Sequence, residues 1–233
     1  MVENQGPSAV KLVLNSLITI LFFPAIVLLA SGDWRWLEGW IFSLWFVAMV
    51  LSATIYLAIR DPALLAERSR LRFAENQKSW DRYVLITIYV VTLAWFIVMP
   101  LDARRFRWSP DFPVWLKLLG GLMLIPALYL IFQATAENTF ASTMVRIQKE
   151  RKQRVISTGV YGLVRHPMYL GAVFMMFGAP LLLGSIWGLI IAAIGFCILV
   201  GRIIGEEKML INELDGYSQY VNAVRYRLIP FVW

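Results

Sequence analysis

The stretch "GVYGLVRHPMYLGAVFMMFGAPLLLGS", Gly159 to Ser185, decides how the rest of the chain is read. It opens polar, passes the single histidine of the chain, His166, between Arg165 and Pro167, and continues apolar to Gly184-Ser185. Pro167 has no backbone donor and suits the first turn of a helix, so Arg165-His166 stand at a helix entrance. A second apolar run starts at Ile186, directly after the Gly-Ser pair. The two runs predict a tight helical hairpin whose first arm is short for a full crossing of a bilayer.

The same pattern extends to the whole chain of 233 residues. With 59% hydrophobic residues and a mean hydropathy of +0.65, it is too apolar for a soluble domain of this size. Apolar runs long enough to cross a membrane, about 20 residues each, are read at Lys11 to Ala30, Trp36 to Ile59, Tyr83 to Leu101, Val114 to Ala134, Met168 to Leu183 and Ile186 to Ile204. The expected fold is therefore all-α and membrane-integral, with five or six transmembrane helices, a C-terminal helical hairpin and a further cytoplasmic C-terminal helix. It forms one embedded domain over residues 1–233, divided into transmembrane helices in 1–134 and a functional region in 135–233. The N-terminus "MVENQGPSAVK" has no basic region ahead of its apolar run, so the first span is expected to be kept.

The net charge of +7 fits membrane topology better than nucleic acid. Arg and Lys concentrate in 60–82 and 135–167, while 102–113 holds only Arg104, Arg105 and Arg107. By the positive-inside rule both long loops, the N-terminus and the C-terminal tail face the cytoplasm. Trp34, Trp36, Trp80, Trp108 and Trp115 fall near span ends, where aromatic belts lie. The single cysteine, Cys197, lies mid-span, which excludes an intrachain disulfide and a cysteine metal site. In "RDPALLAERSRLRFAENQKSWDR", Asp61 and Pro62 predict the start of a surface helix, with Leu64, Leu65, Leu71 and Phe73 dipping into the interface and the arginines toward lipid phosphate.

Three clusters in the C-terminal half point to chemistry. The entrance pair Arg165-His166 sits where free backbone donors and the helix dipole favour an anion, with Tyr169 on the same face. Gly171 and Gly178 admit a close ligand or another helix. In "LVGRIIGEEKMLINEL", Arg202 and Glu206 share one face, and Glu207 is turned from them by about 100°. Charges so near a span are costly unless paired or bound. The third cluster, "DGYSQYVNAVRYRLIPFVW", is a tail that would lie on the membrane or close over the site. Cations, a glutamate, aromatics and apolar walls suit a zwitterionic ligand with a ring. They do not suit zinc, and no Walker or Rossmann glycine loop is present.

At "GVYGLVRHPMYLG", "EEKML", "YSQY" and "RYRLIPFVW", in that order from about Asn138 onward, the sequence resembles the isoprenylcysteine carboxyl methyltransferase family and its relatives, the phospholipid N-methyltransferases. "DPALLAERSR" and "TMVRIQKERKQRVISTGVY" resemble its bacterial-type members, which implies a bacterial cytoplasmic membrane. The resemblance implies S-adenosylmethionine as methyl donor, bound by residues 135–233. Carried over by motif, the cofactor residues are Gln148, Gln153, Arg154, Val155, Ile156, Tyr161, His166, Pro167, Met168, Tyr169 and Glu206. Gln153 stands where the family has histidine. Arg202 matches the arginine associated with the methyl acceptor and is expected to be catalytic, and no metal is implied. The acceptor would be lipophilic: a prenylated cysteine carboxylate, a lipid amine or a small thiol. An amine or thiol would need a base, for which Glu207 and His166 are the nearby groups. Membrane steroid reductases using NADPH share the C-terminal architecture, and a lipid transporter or scaffold is the third alternative.

Overall fold

The computed structural model describes residues 9–69, 74 and 76–233, with side chains from residue 17 onward. Among these the chain forms eight α-helices and no strand: α1 (Ala9–Ser31), α2 (Leu37–Arg60), α3 (Pro62–Arg68), α4 (Ser79–Pro100), α5 (Val114–Glu137), α6 (Pro167–Leu183), α7 (Ile186–Glu213) and α8 (Tyr217–Ala223). Four of them, α2, α4 with its π-helical extension Leu101–Arg105, α5 and α7, are long and apolar enough to cross a membrane. Leu17–Ser31 of α1 and the whole of α6 are shorter apolar segments. The six apolar helices match the six expected runs, and helices apolar all round belong in lipid. Leu21, Leu44, Ile59, Val90, Leu122 and Ile125 point outward and exposed, as side chains do when the solvent is hydrocarbon.

The core at mid-depth is aromatic. Phe42 and Phe96 are fully enclosed and pack with Phe46, Trp95 and Leu124. Ring contacts include Trp95 edge-on to Phe96 at 5.2 Å and Phe46 edge-on to Phe96 at 5.4 Å, geometries that suit the ring quadrupoles. The Trp45 indole donates to the Leu124 carbonyl at 3.0 Å, tying α2 to α5.

The hairpin between α6 and α7 turns as expected: Gly184 ends α6 with φ +83°, and the Ser185 hydroxyl accepts from the Gly188 N–H at 2.8 Å. Its first arm, however, packs most closely on α5. A Cβ added at Gly120 would stand 2.3 Å from the Leu182 amide nitrogen and 2.6 Å from the Gly178 carbonyl oxygen. Without a hydrophobic driving force between helices in lipid, such backbone approach is what holds them together. The glycines of α6 thus admit a neighbouring helix. At 17 residues, α6 is about 26 Å long, short of a hydrocarbon core of ~30 Å.

Helix parity gathers the turns at 32–36, 101–113 and 184–185 at one end. There Asp102, with no exposed surface, accepts from the hydroxyls of Ser109 at 2.7 Å and Ser185 at 2.6 Å and from the Ser109 amide at 2.8 Å. This carboxylate locks the hairpin turn to the α4–α5 connection. The opposite end holds α3, the 138–166 segment, α8 and the C-terminal tail.

Asp61 caps α3, accepting from the Leu64 amide at 2.9 Å, with Pro62 in the first turn. Leu64 and Leu65 depart from the expectation: they are buried against Leu57 and Tyr56 of α2. The helix is amphipathic toward the protein because α2 offers a protein surface ahead of the lipid. Its last-turn charges also turn to protein: Glu67 is buried and takes Arg146 Nε at 2.9 Å, and Arg68 donates to the Ala141 carbonyl; Arg70 and Arg72 lie outside the described residues. Leu71, Phe73 and the N-terminal residues lie outside the described residues.

Replacing Gly120 by Val should force α5 and α6 apart and lower stability by about 1–3 kcal/mol, read as a lower thermal midpoint in detergent; an unchanged midpoint would show that this contact bears no stability.

Candidate active site

The polar end of the bundle holds a cavity lined by the 138–156 segment, the start of α6, the end of α7 and α8. Its walls divide by chemistry. Val155, Ile156, Met209, Leu210 and Leu214 form an apolar side, Tyr161, Tyr169, Tyr217 and Tyr220 an aromatic one, and Gln153, Arg154, Arg165, His166 and Glu206 supply polar groups.

Glu207 organises this end. Its carboxylate, 3% exposed, receives Arg165 Nε at 2.6 Å, Arg227 Nε at 2.6 Å and the His166 ring at 3.3 Å. The α6 entrance, the end of α7 and the C-terminal tail therefore meet on one anion. The backbone repeats the link, since the Arg165 and His166 amides donate to the carbonyls of Tyr226 and Arg227, each at 2.9 Å. Arg165 also donates to the Val224 carbonyl at 2.7 Å. A carboxylate this enclosed is tolerable only because its partners satisfy it.

Glu206, next in the chain, faces the cavity instead. The Tyr169 hydroxyl donates to it at 2.7 Å, and no cation lies within ion-pair distance among the described residues. It remains a carboxylate with acceptor capacity turned to the cavity. Burial is the largest influence on Tyr161, Tyr217 and Tyr220 and pushes all three phenols up, so they stay neutral. The Tyr220 hydroxyl donates to the Tyr161 carbonyl at 2.7 Å, fastening α8 to the turn that precedes α6. That turn begins at Gly159, whose φ of +53° and approach to the Glu137 carboxylate leave no room for a side chain.

Of the residues singled out from sequence, Gln153, Arg154, Val155, Ile156, Tyr161, His166, Pro167, Met168, Tyr169 and Glu206 all line this cavity. Two do not. Gln148 is 1% exposed and turned into its own loop, donating to the Phe140 carbonyl at 2.8 Å and accepting from Arg151 at 2.8 Å. Arg202 lies behind the wall: it donates to Asp81 at 3.0 Å and to the Thr143 carbonyl at 2.6 Å, with its guanidinium 5.9 Å from the Tyr169 ring centre. The same-face spacing of Arg202 and Glu206 did not become an ion pair, because Asp81 of α4 reaches the guanidinium first.

Asp81 was not legible as a site residue. Wholly buried, it accepts from Arg202, from Gln77 at 2.7 Å and from the Val145 amide at 2.8 Å, so it joins α4, α7 and the cavity loop. A carboxylate at the edge of an apolar run, beside Trp80, was the available signal.

A second cavity opens among the helices, lined by Ile18 and Thr19 of α1, Met49, Val50, Ala53, Thr54 and Leu57 of α2, Tyr89 of α4 and Ile131 of α5. Its polar end is formed by Arg68, Ser69 and Thr143. Arg68 donates to the Ala141 carbonyl at 3.1 Å and contacts the Met168 sulfur at 3.7 Å. Ala141 and Met168 line the first cavity, so one thin wall separates the two.

Known proteins are similar to this chain in sequence and fold. Residues 115–215 match the model of the phospholipid methyltransferase family. Protein-S-isoprenylcysteine O-methyltransferase of Saccharomyces cerevisiae is 36% identical over 118 residues, 49% of this chain and 48% of that protein. Protein-S-isoprenylcysteine O-methyltransferase B of Arabidopsis thaliana is 27% identical over 135 residues, 55% of this chain and 63% of that protein. The matched segment thus spans about half of the yeast relative and under two thirds of the plant one. Among solved structures, a eukaryotic intramembrane Ras methyltransferase, isoprenylcysteine carboxyl methyltransferase, shares the fold, with TM-score 0.57 and 19% identity over 93% of this chain and 75% of that one. The resemblance carried by the motifs is therefore borne out, and the chain is a multi-pass helical membrane protein.

Removing the central anion should be the most damaging single change at this end. Glu207→Ala leaves the buried Arg165 unpaired, and we expect a loss of about 3–5 kcal/mol, seen as early thermal unfolding, whereas Glu206→Ala should unfold close to wild type; equal stability of the two variants would contradict the division of roles.

Proposed function

We propose that the protein is a membrane methyltransferase that takes its methyl group from S-adenosylmethionine and passes it to the carboxylate of a lipophilic acceptor. The observation that carries this reading is Glu206, a carboxylate turned to a cavity that also has an aromatic and an apolar side. A zwitterionic molecule with an amino group, hydroxyls and a flat heterocycle fits such a donor set. Glu206 and Gln153 would hold its polar groups, Val155, Ile156 and the tyrosines its ring, and Arg154 its carboxylate. When bound, the group supplies an electrophilic methyl on a sulfonium.

The chain itself needs little acid or base machinery for this. A carboxylate acceptor is already ionised at neutral pH, and the transfer is an in-line displacement that depends on alignment in a dry site. Its wall is built for that: apolar side chains and neutral tyrosines exclude water around the transfer path. Amine and thiol acceptors must shed a proton. Of the groups that could serve as base, Glu207 and His166 are bound to each other, Glu207 also carries both arginines, and Glu206 is taken by the donor's amino group. That favours a carboxylate over the phospholipid amine that the family match brings to mind. Arg202 acts in this reading as a positioning residue, neutralised by Asp81 and backing Tyr169.

The acceptor would enter from the bilayer through the second cavity. Arg60, Arg68, Lys78 and Arg82 and the cations of 135–167 share the polar end with the site, which by the positive-inside rule faces the cytoplasm.

Calorimetry with S-adenosylhomocysteine tests the donor site: wild type should bind, and Glu206→Ala should weaken binding about 10-fold or more, as loss of a charge-assisted hydrogen bond does. Binding unaffected by the substitution would remove Glu206 from the site, and no binding by folded wild type would overturn the function.

A further inference from the structure

The wall between the two cavities contains a cation that meets no carboxylate among the described residues. Arg146, Arg165 and Arg202, the buried arginines around it, each meet a carboxylate: Glu67, Glu207 and Asp81 respectively. Arg68 meets none within ion-pair distance among the described residues. The adjacent Glu67 turns to Arg146, so it does not serve. What Arg68 has is one carbonyl, that of Ala141, and the Met168 thioether. Five donors in a fork are thus engaged by one good acceptor and one weak one. Burial pulls this guanidinium down, yet an arginine stays charged in a protein.

Its position gives that charge a use. The second cavity is lipid-like for most of its length, and Arg68 stands at its polar end beside Ser69 and Thr143. On the other side of the same guanidinium is Met168, at the entrance of α6 in the first cavity. An apolar channel that ends on a cation with no carboxylate partner among the described residues selects an apolar chain with an anionic end.

We propose that Arg68 is the residue that recognises the acceptor, gripping the terminal carboxylate of a single apolar chain lodged between α1, α2, α4 and α5. This rests on the methyltransferase reading and deepens it: the acceptor's anion falls to Arg68, because Arg202 is already paired with Asp81. Held there, a carboxylate oxygen lies at the wall shared with the donor cavity. In the transfer that oxygen forms a bond to the methyl carbon as the carbon–sulfur bond breaks. The bonding pair stays on sulfur, and the products are a neutral methyl ester and a neutral thioether, with no proton to place. Loss of the acceptor's charge also removes its hold on Arg68, which favours release of the ester over the acid.

The same chemistry could come from a prenylated cysteine or from a fatty acid. The test uses both: S-farnesyl-N-acetylcysteine and oleate, each alongside its primary amide, titrated onto the purified full chain in neutral detergent. Arg68→Gln and Arg68→Lys are compared with wild type, and S-adenosylhomocysteine binding and the thermal midpoint report the fold of each. Wild type should prefer at least one acid over its amide by about 10- to 100-fold, the range of a charge-assisted contact. Arg68→Gln should abolish that preference without changing amide binding, and Arg68→Lys should keep part of it. The acid preferred by wild type identifies the source of the chain. Equal binding of acid and amide by wild type, or a preference that survives in Arg68→Gln, overturns the proposal. Should wild type prefer the acid yet not bind S-adenosylhomocysteine, the anion site stands and the methyl-transfer reading falls.

Discussion

The polar end of this protein depends on one buried carboxylate. Glu207 draws Arg165, His166 and Arg227 onto itself, and so joins the end of α7 to the start of α6 and the tail after α8, two segments that backbone hydrogen bonds also tie to each other. Charge is the effective adhesive there because apolar contact has little force between helices already solvated by lipid. Since its oxygens are occupied, Glu207 is fixed in place, and its neighbour Glu206, one residue earlier and turned by about 100°, is held facing the cavity. Of two adjacent glutamates, one is enclosed by its partners and the other is turned to the cavity.

Asp102 does at the opposite end what Glu207 does near the site. It collects Ser109 and Ser185 and so fixes the hairpin turn against the α4–α5 connection. Between these two anchors the helices need only pack: aromatic rings around Phe42 and Phe96, and backbone against backbone at Gly120 and Gly178. Asp81 adds a third anchor beside the cavity, linking α4 to α7 through Arg202. Each anchor sits at a helix end, where a charge in a membrane protein costs least to keep.

Much of this was legible in the sequence. Apolar run length gave the six apolar helices, Gly184-Ser185 gave the hairpin, Asp61-Pro62 gave the start of α3, and motif order gave most of the cavity lining. Pairwise partnership was not legible. Helix spacing placed Arg202 and Glu206 on one face, yet partners from other helices, Asp81 and Tyr169, reached them first. Likewise Leu64 and Leu65 read as lipid-facing, because a sequence shows that a helix is amphipathic without showing whether lipid or protein covers its apolar side. Gln148 was carried over by motif, but its amide satisfies its own loop. In each case the deciding contact is distant in sequence, where periodicity carries no information.

Glu207 and His166 are committed to each other and to the arginines, and in the proposed reading Glu206 is taken by the donor's amino group, which favours methylation of a carboxylate over that of an amine or thiol. The direct measurement is the chemical fate of a labelled methyl group. Wild-type protein in vesicles is incubated with methyl-labelled S-adenosylmethionine and S-farnesyl-N-acetylcysteine, and the lipid product is treated with base. The account predicts label in the lipid that base releases as methanol, the signature of an ester. Label that resists base, as on nitrogen or sulfur, or no transfer from a donor that binds, would contradict it.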